Sequence, residues 1–212
     1  MLRGNRQIGR AACELTWEYL FPDHPMPWAV RLIGTYDTWR KDDPDWKDAL
    51  AFQYGVKVVR GIADPRSQAW AALLSRDKVF ADKQTLDLLE VGRHIRAYQD
   101  ECNAQICKRA AFETSLLVFP AEPNDGMQSP TRFRAIACTS PMCNSMLFDS
   151  VWDPAKHDIM LSFYWDAKGW WTVSVYSTKE DIDCSAIAKS FRGGGHRGAA
   201  GFQAKELPFK LK

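Results

Sequence analysis

The spacing of apolar residues changes near residue 112, and this change is the strongest limit on the fold. In residues 10–112 apolar positions recur every three or four residues, as in amphipathic helices. Beyond that point short apolar runs alternate with turn-forming residues, which indicates strands. The sequence therefore predicts an α/β fold in two domains: a mainly helical segment, residues 1–112, and a small α/β domain with a mixed sheet, residues 113–212.

The helical segment is expected to contain five helices. The first presents Ala12, Leu15 and Tyr19 on one apolar face and ends at the prolines between residues 21 and 27. The other four are expected at Trp28–Trp39, at Asp45–Tyr54 with Gly55 as a stop, at Trp70–Leu74 and at about 82–110.

In the second domain the clearest strands are Ile159–Trp165 and Trp170–Ser177, joined by a short turn. Apolar and hydroxyl-bearing residues alternate along the second strand. This predicts one face in the core and one face that presents Thr172, Ser174 and Tyr176. The remaining expected elements are strands at Thr114–Phe119 and Phe133–Cys138 and helices that begin after the caps Asn144 and Asp183.

The sharpest local signal is the run Arg192-Gly193-Gly194-Gly195-His196-Arg197-Gly198, which follows the last expected helix. Three glycines in a row let successive main-chain N–H groups point into one concavity that attracts an anion. The flanking Arg and His side chains add donors, so we interpret the run as a phosphate site in preference to a plain helix stop with a tight turn. It is not a Walker loop, because no Lys-Ser or Lys-Thr follows the glycines.

Composition limits the partners. With 28 basic and 26 acidic residues the net charge is +2, which provides no field for binding duplex DNA. No stretch approaches the roughly 18 apolar residues of a membrane span, and no secretory signal is present, so we expect a cytoplasmic protein with no membrane partner. The six cysteines contain no C-x-x-C pair and are interpreted as small buried or half-buried thiols. His24, His94 and His157 are interpreted as solvated.

The string GGGHRGAAGF resembles the signature of the substrate-binding domain of DHH-superfamily phosphoesterases, which include RecJ-like nucleases, nanoRNA and cyclic-dinucleotide phosphodiesterases and exopolyphosphatases. The resemblance covers nearly the whole chain. Four further segments resemble this family: Ala11–Phe21, Ile33–Trp39, Phe148–Ser150 and Val173–Ser177.

The resemblance implies hydrolysis of a phosphoester or phosphoanhydride bond with Mn²⁺ or Mg²⁺, and it makes Asp37 a metal ligand. It also implies a phosphorylated small molecule, a nucleotide or a short single-stranded oligonucleotide as the ligand. Tyr176 stands where the family has an Arg. The expected substrate-binding residues are Ser174, Tyr176, Ser177, Arg192, Gly193, Gly194, Gly195, His196 and Arg197.

The family's Asp-His-His triplet does not occur in the sequence. One carboxylate cannot hold two metal ions, so no catalytic residue is assigned and an activity of this chain alone is left open. Three interpretations remain: a piece of a phosphoesterase, a chain completed by a homodimer partner or by a complementing chain, and a nucleotide-binding protein without hydrolysis.

Overall fold

A computed structural model describes residues 7–119, 129–141 and 143–211. It forms two compact units, Met1–Gln99 and Asp100–Lys212. Helices come first and a six-stranded mixed sheet with helices follows, which confirms the predicted α/β class. The first unit contains α1 (Ala12–Leu20), α2 (Trp28–Asp37), α3 (Trp46–Lys57), α4 (Gln68–Leu73) and the larger part of α5 (Lys78–Ala110).

The buried side of α1 differs from the predicted apolar face. Tyr19 is 83% exposed, whereas Glu14 is buried. The Glu14 carboxylate accepts the N–H of Ala11 at 2.9 Å and pairs with the Arg40 guanidinium at 2.8 Å. A buried carboxylate needs such partners, because an unpaired charge away from water is costly. The charged pair therefore sets which side of α1 faces inward, and apolar spacing alone did not reveal it.

Gly55 does not end α3, contrary to the sequence prediction. It lies inside the helix, and a Cβ there would come within 2.1 Å of the Leu88 carbonyl oxygen of α5. Gly92 of α5 has the same role, because its Cβ would lie 1.8 Å from the Ala51 carbonyl oxygen. These two glycines let α3 and α5 approach at main-chain distance.

The second unit is built on one sheet with the strand order β1-β2-β3-β4-β6-β5. All neighbouring pairs are antiparallel except β2 and β3, which are parallel. The strands are β1 (Ala111–Val118), β2 (Thr131–Thr139), β3 (Ile159–Trp165), β4 (Trp171–Tyr176), β5 (Gly194–His196) and β6 (Ala199–Ala204), with α6 (Cys184–Ser190) between β4 and β5.

The predicted alternation along β4 is confirmed. Val173 and Val175 are fully buried in the core that α6 covers, together with Phe202 and Ile187. The opposite face, with Ser174, lies against Ser162 of β3 and Gly201 of β6 in the strand register. The opposite face is apolar where Ile136 and Met160 pack against Phe148, and it carries small residues at Ser162, Ser174 and Gly201.

The predicted caps are also present. The Asp183 carboxylate accepts the N–H groups of Ser185 and Ala186 at the start of α6. The Asn144 side chain accepts the Met146 N–H, but the helix it begins, Ser145–Phe148, is a short 3₁₀ turn. The cysteines are free thiols that are buried or half-buried, as predicted. None of the helices in the described ranges has the length and apolarity needed to cross a bilayer.

Replacing Gly92 with alanine is expected to destabilise the first unit by about 1–3 kcal/mol, because the new methyl overpacks the α3–α5 contact. Glu90→Ala is the matched control, since this exposed position on the same helix accepts alanine without a clash. Urea unfolding of both variants measures the difference. Equal stability of Gly92→Ala and the parent would contradict the close approach.

Candidate functional site

The end of α6 is set by Arg192 and not by a glycine. Arg192 has a φ of +62°, in the left-handed region. Its N–H donates to the Lys189 carbonyl at 2.9 Å, and the Gly193 N–H donates to the Ala188 carbonyl at 2.8 Å. These two bonds are the Schellman pattern that closes a helix. A long side chain in this region is strained, so the helix stop holds Arg192 in a costly conformation.

The three glycines do not form the predicted open concavity of amide groups. The Gly193 amide is already bonded, and Gly194 to His196 form the edge strand β5, paired with β6. The glycines are needed for space instead. A Cβ on Gly193 would lie 2.1 Å from the Gly201 carbonyl oxygen, and one on Gly195 would lie 2.5 Å from the Ala200 Cα. Gly194 faces open space.

The tip of this glycine hairpin, residues 193–201, is fastened to the rest of the unit. The Arg197 carbonyl accepts the Cys184 N–H at 2.8 Å, and the Gly198 carbonyl accepts the Ser177 N–H at 3.2 Å. The Arg197 guanidinium donates to the Glu180 carbonyl. These bonds hold the hairpin in place, and the Arg197 guanidinium is used in one of them.

An open groove of about 720 Å³ lies beside the hairpin. Ser174 lines it from β4, Arg192 and Gly193 line it from the end of α6, and Gly201 lines it from β6. The structure thus brings together three of the predicted site residues, Ser174, Arg192 and Gly193. A groove of this size is large enough for a nucleotide-sized ligand.

The side chains of Arg192 and His196 differ from that of Arg197 in their contacts. The side chains of Arg192 and His196 are exposed, and neither makes a hydrogen bond or ion pair within the described ranges. A guanidinium without an internal partner is ready to pair with a phosphate in two-point geometry. His196 does not line the groove but lies on β5 near the hairpin tip.

Tyr176 and Ser177 face different surroundings from Ser174. The Tyr176 hydroxyl donates to the Cys143 carbonyl at 3.0 Å, and burial raises the pKa of this phenol. Ser177 is buried, and its hydroxyl donates to the Asp158 carbonyl at 2.9 Å. Both side chains are occupied in holding the end of β4 and do not line the groove.

Seven groove residues were not predicted as site residues, among them Trp170, Phe191, Phe202 and Gln203. The Phe191 and Phe202 rings stack with centroids 4.4 Å apart, and the Lys205 ammonium lies 3.9 Å from the Trp170 ring centroid. The Gln203 amide nitrogen donates to Thr172 and Asp166, both at 3.2 Å. Phe191 and Phe202 flank the glycine segment in the sequence, and this was the signal from which an aromatic lining could have been predicted.

Asp158 forms a clamp, in which hydrogen bonds and ion pairs to this residue link the ends of neighbouring strands. Its carboxylate accepts two bonds from the Arg134 guanidinium and one from the Lys179 ammonium at 2.8 Å. These partners, Arg134 first, hold the pKa of Asp158 well below its ordinary value. The Asp158 main chain also receives the Ser177 hydroxyl. The clamp therefore joins β2, β3 and the end of β4.

The side chains near Asp37 do not fit a two-metal centre. Asp37 is exposed at the last residue of α2. It lies near Cys13, whose thiol pKa is raised by burial and by the carboxylates of Glu14 and Asp37. Within the described ranges, no group of three or more His, Cys, Asp or Glu side chains is placed to hold a metal ion. We derive no step through a metal from these residues.

Comparisons with known proteins show which sequences and folds this chain is similar to. No family model matches the sequence. The uncharacterized protein R106 of Acanthamoeba polyphaga mimivirus is 26% identical over 202 residues, which is 92% of this chain and 41% of that protein. The chain thus spans less than half the length of this relative.

Among solved structures, the pGpG-specific phosphodiesterase PggH from Vibrio cholerae aligns with a TM-score of 0.50 and 12% identity, over 90% of this chain and 66% of that one. An uncharacterized protein from Helicobacter pylori G27 aligns with a TM-score of 0.32 and 14% identity, over 94% of this chain and 62% of that one. The first similarity shows a common fold with a phosphodiesterase.

Gly195→Ala is expected to destabilise the second unit by about 1–3 kcal/mol, because the Cβ meets β6 and the residue has a φ of +146°. Gly194→Ala is the matched control, since nothing lies within 4 Å of its Cβ position. Thermal unfolding followed by circular dichroism measures both. Equal losses for the two alanines would contradict the hairpin pairing.

Asp158 is expected to make stability sensitive to acid. A depressed pKa in the folded chain gives stabilisation that is complete above the unfolded value near 4 and is lost as the pH falls below it. Asp158→Asn should therefore cost roughly 1–2 kcal/mol at pH 7, and the difference from the parent should shrink toward pH 2. Asp181→Asn, at an exposed position, is the control. Urea titrations across this pH range test the clamp; a pH-independent cost would contradict it.

Proposed function

We propose that the second unit binds the phosphate of a nucleotide or short single-stranded oligonucleotide in the groove beside the glycine hairpin. The observation that carries this proposal is the Arg192 guanidinium, which lines the groove and has no hydrogen-bond or ion-pair partner among the described residues. The helix stop fixes its main chain, so little backbone freedom is lost when it pairs with a phosphate. The nearby Ser174 hydroxyl adds a neutral donor.

The remaining walls of the groove suit the other parts of a nucleotide. Trp170 and Phe191 present aromatic surface on which a base can stack. The Gln203 carbonyl oxygen is an acceptor for a sugar hydroxyl or a base amino group. His196, on the exposed strand β5, is a second donor for an oligonucleotide that extends past the groove. This arrangement favours a linear ligand with one terminal phosphate.

The common fold with a pGpG-specific phosphodiesterase supports the same ligand class. By resemblance we assign the chain to phosphoesterases of the DHH type, with Mn²⁺ or Mg²⁺ as cofactor. Hydrolysis then requires metal ligands beyond the carboxylates of the described residues, with Asp37 as at most one of them. A second copy of the chain, a complementing chain or further sequence of the same protein would supply them. Ligand binding needs none of these.

Arg192→Gly is expected to separate binding from folding. Glycine relieves the left-handed strain, so stability should rise by about 0.5–1 kcal/mol. Loss of the guanidinium should weaken binding of the phosphorylated dinucleotide pApA about tenfold to a hundredfold, because hydrogen bonds to charged groups contribute about 1.5–3 kcal/mol. Calorimetric titration without added metal gives the dissociation constant, and thermal unfolding gives the stability.

Lys189→Ala is the matched control, because it removes an exposed positive charge on α6 that does not line the groove. It should bind pApA as the parent does. The dinucleotide ApA, which lacks the terminal 5′-phosphate and keeps the internal phosphodiester, should bind the parent about as weakly as pApA binds Arg192→Gly. Equal binding of pApA by the parent and by Arg192→Gly would refute the phosphate site.

A further inference from the structure

The sheet of the second unit ends on one side at β1, and this edge has no further strand among the described residues. β1 comes first in the strand order and pairs with β2 alone. All eight of its residues, Ala111–Val118, are in register with β2 without a bulge. A row of main-chain N–H and C=O groups therefore points away from the sheet along this edge.

β1 lacks the features that normally keep an edge strand from pairing. Edge strands are usually short, bulged, or interrupted by proline or lysine. The opposite edge of this sheet follows that rule, because β5 has three residues and two of them are glycines. β1 has neither proline nor lysine, and Glu113 is its one charged residue. It is thus a long, regular edge that is built like an inner strand.

An open groove of about 990 Å³, the edge groove, runs beside β1. Thr114 lines it from the core face of the strand, and Glu113 and Leu117 line it from the other face. Since both faces contribute, the groove lies beside the strand and not above the sheet. Its second wall is the segment 207–211, where the Lys210 carbonyl accepts the Thr114 hydroxyl at 3.1 Å. The space next to β1 is therefore open to an additional strand.

We infer that this edge pairs with the β1 strand of a second copy of the chain, so that the sheets of two copies become one continuous sheet. An antiparallel pair of identical strands has a two-fold axis perpendicular to the sheet, which keeps the core faces of both copies on the same side. The axis then passes between one residue and the same residue of the other copy. A register centred on Thr114 or on Ser115 pairs seven of the eight residues.

Charge complementarity selects the register centred on Ser115. Glu113 then lies opposite Leu117 of the second copy, and the β2 neighbour of Leu117 is Arg132. The two charged residues share one face of the sheet with about 10 Å between their Cα atoms, which their long side chains can span. A register centred on Thr114 would instead bring Glu113 toward Arg134.

The cations of the two registers differ in their partners. Arg134 is already paired with the Asp158 carboxylate at 2.8 Å. The Arg132 guanidinium donates to the neutral Ser115 hydroxyl at 3.0 Å and has no carboxylate partner among the described residues. Arg132 is therefore the cation that gains a partner when a second copy adds its β1.

Glu113 is available for this contact. Its side chain is 64% exposed, and its one ion-pair neighbour among the described residues is Nε2 of His157, at 3.6 Å. The His157 side chain is 6% exposed, contrary to its interpretation as a solvated residue. No hydrogen bond forms at that distance, so both Glu113 oxygens can accept from a guanidinium.

The apolar side of the strand matches in the same register. Phe112 lies opposite Val118 of the second copy, and Leu116 lies opposite Thr114. The apolar three of these residues pack in or against the core that α6 covers. The core of one copy then continues into the core of the other, while the main chains exchange hydrogen bonds across the edge. The two-fold axis repeats the Glu113–Arg132 contact, so the interface contains it twice.

The test is the association state of the whole chain, measured by sedimentation equilibrium. The parent should be a dimer at about 100 μM, a concentration that saturates an interface with a micromolar dissociation constant. Glu113→Arg and Arg132→Glu should each weaken the dimer about tenfold or more, because two like-charged pairs replace two opposite ones. The double variant should recover most of the affinity, which also shows that the single variants fold. Glu90→Arg, the same charge change at an exposed position of the first unit, should dimerise as the parent does.

Hydrogen exchange of the main-chain N–H groups locates the contact. The β1 groups that point away from β2 should exchange about tenfold or more slowly in the dimer than in dilute monomer. β5, at the opposite edge, is the internal control and should exchange equally in both. A chain that stays monomeric at about 100 μM would overturn the proposal and leave the edge to an extended segment of another protein. A dimer in which β1 exchange is unchanged, or a double variant as weak as the single ones, would overturn it as well.

Discussion

The second unit depends on a close main-chain approach between the glycine hairpin and strand β6. Gly193 and Gly195 allow it, because a Cβ on either residue would overlap β6 atoms at 2.1 to 2.5 Å. The approach adds β5 to the edge of the sheet and brings the end of α6 beside Gly201. Without it, Arg192 and Ser174 would not line one groove. The glycines therefore act through the space they leave, which determines where the charged groups around them lie.

Local patterns predicted the parts of the fold that depend on local physics. The alternation in β4 and the caps Asp183 and Asn144 are set by neighbours within a few residues, and the structure has them. Gly55 shows where such reasoning fails. A glycine that stops a helix and a glycine that lets two helices touch look alike in sequence, and only the partner helix distinguishes them. The same ambiguity explains why the predicted amide concavity is wrong.

Burial of polar residues was the other property that the sequence did not reveal. Glu14 and His157 both lie inside their units, although residues of these types are usually exposed. Glu14 is stabilised there by Arg40 and by the Ala11 N–H, which come from different parts of the first unit. His157 has one backbone partner and one unpaired atom. The Glu14 carboxylate is therefore paired inside the fold, whereas one ring nitrogen of His157 has no hydrogen bond among the described residues.

The arginines of the second unit also differ in the hydrogen-bond partners of their side chains. Arg134 and Arg197 are used to hold strands and the hairpin tip, through Asp158 and the Glu180 carbonyl respectively. Arg192 has no such partner in the part of the chain that the structure describes, and it is held in a strained conformation that a glycine would adopt freely. An arginine at that position costs stability, so folding gives no reason for it. The strain is explained if the guanidinium must stand at the mouth of the groove, where an anionic ligand supplies the partner that the chain does not.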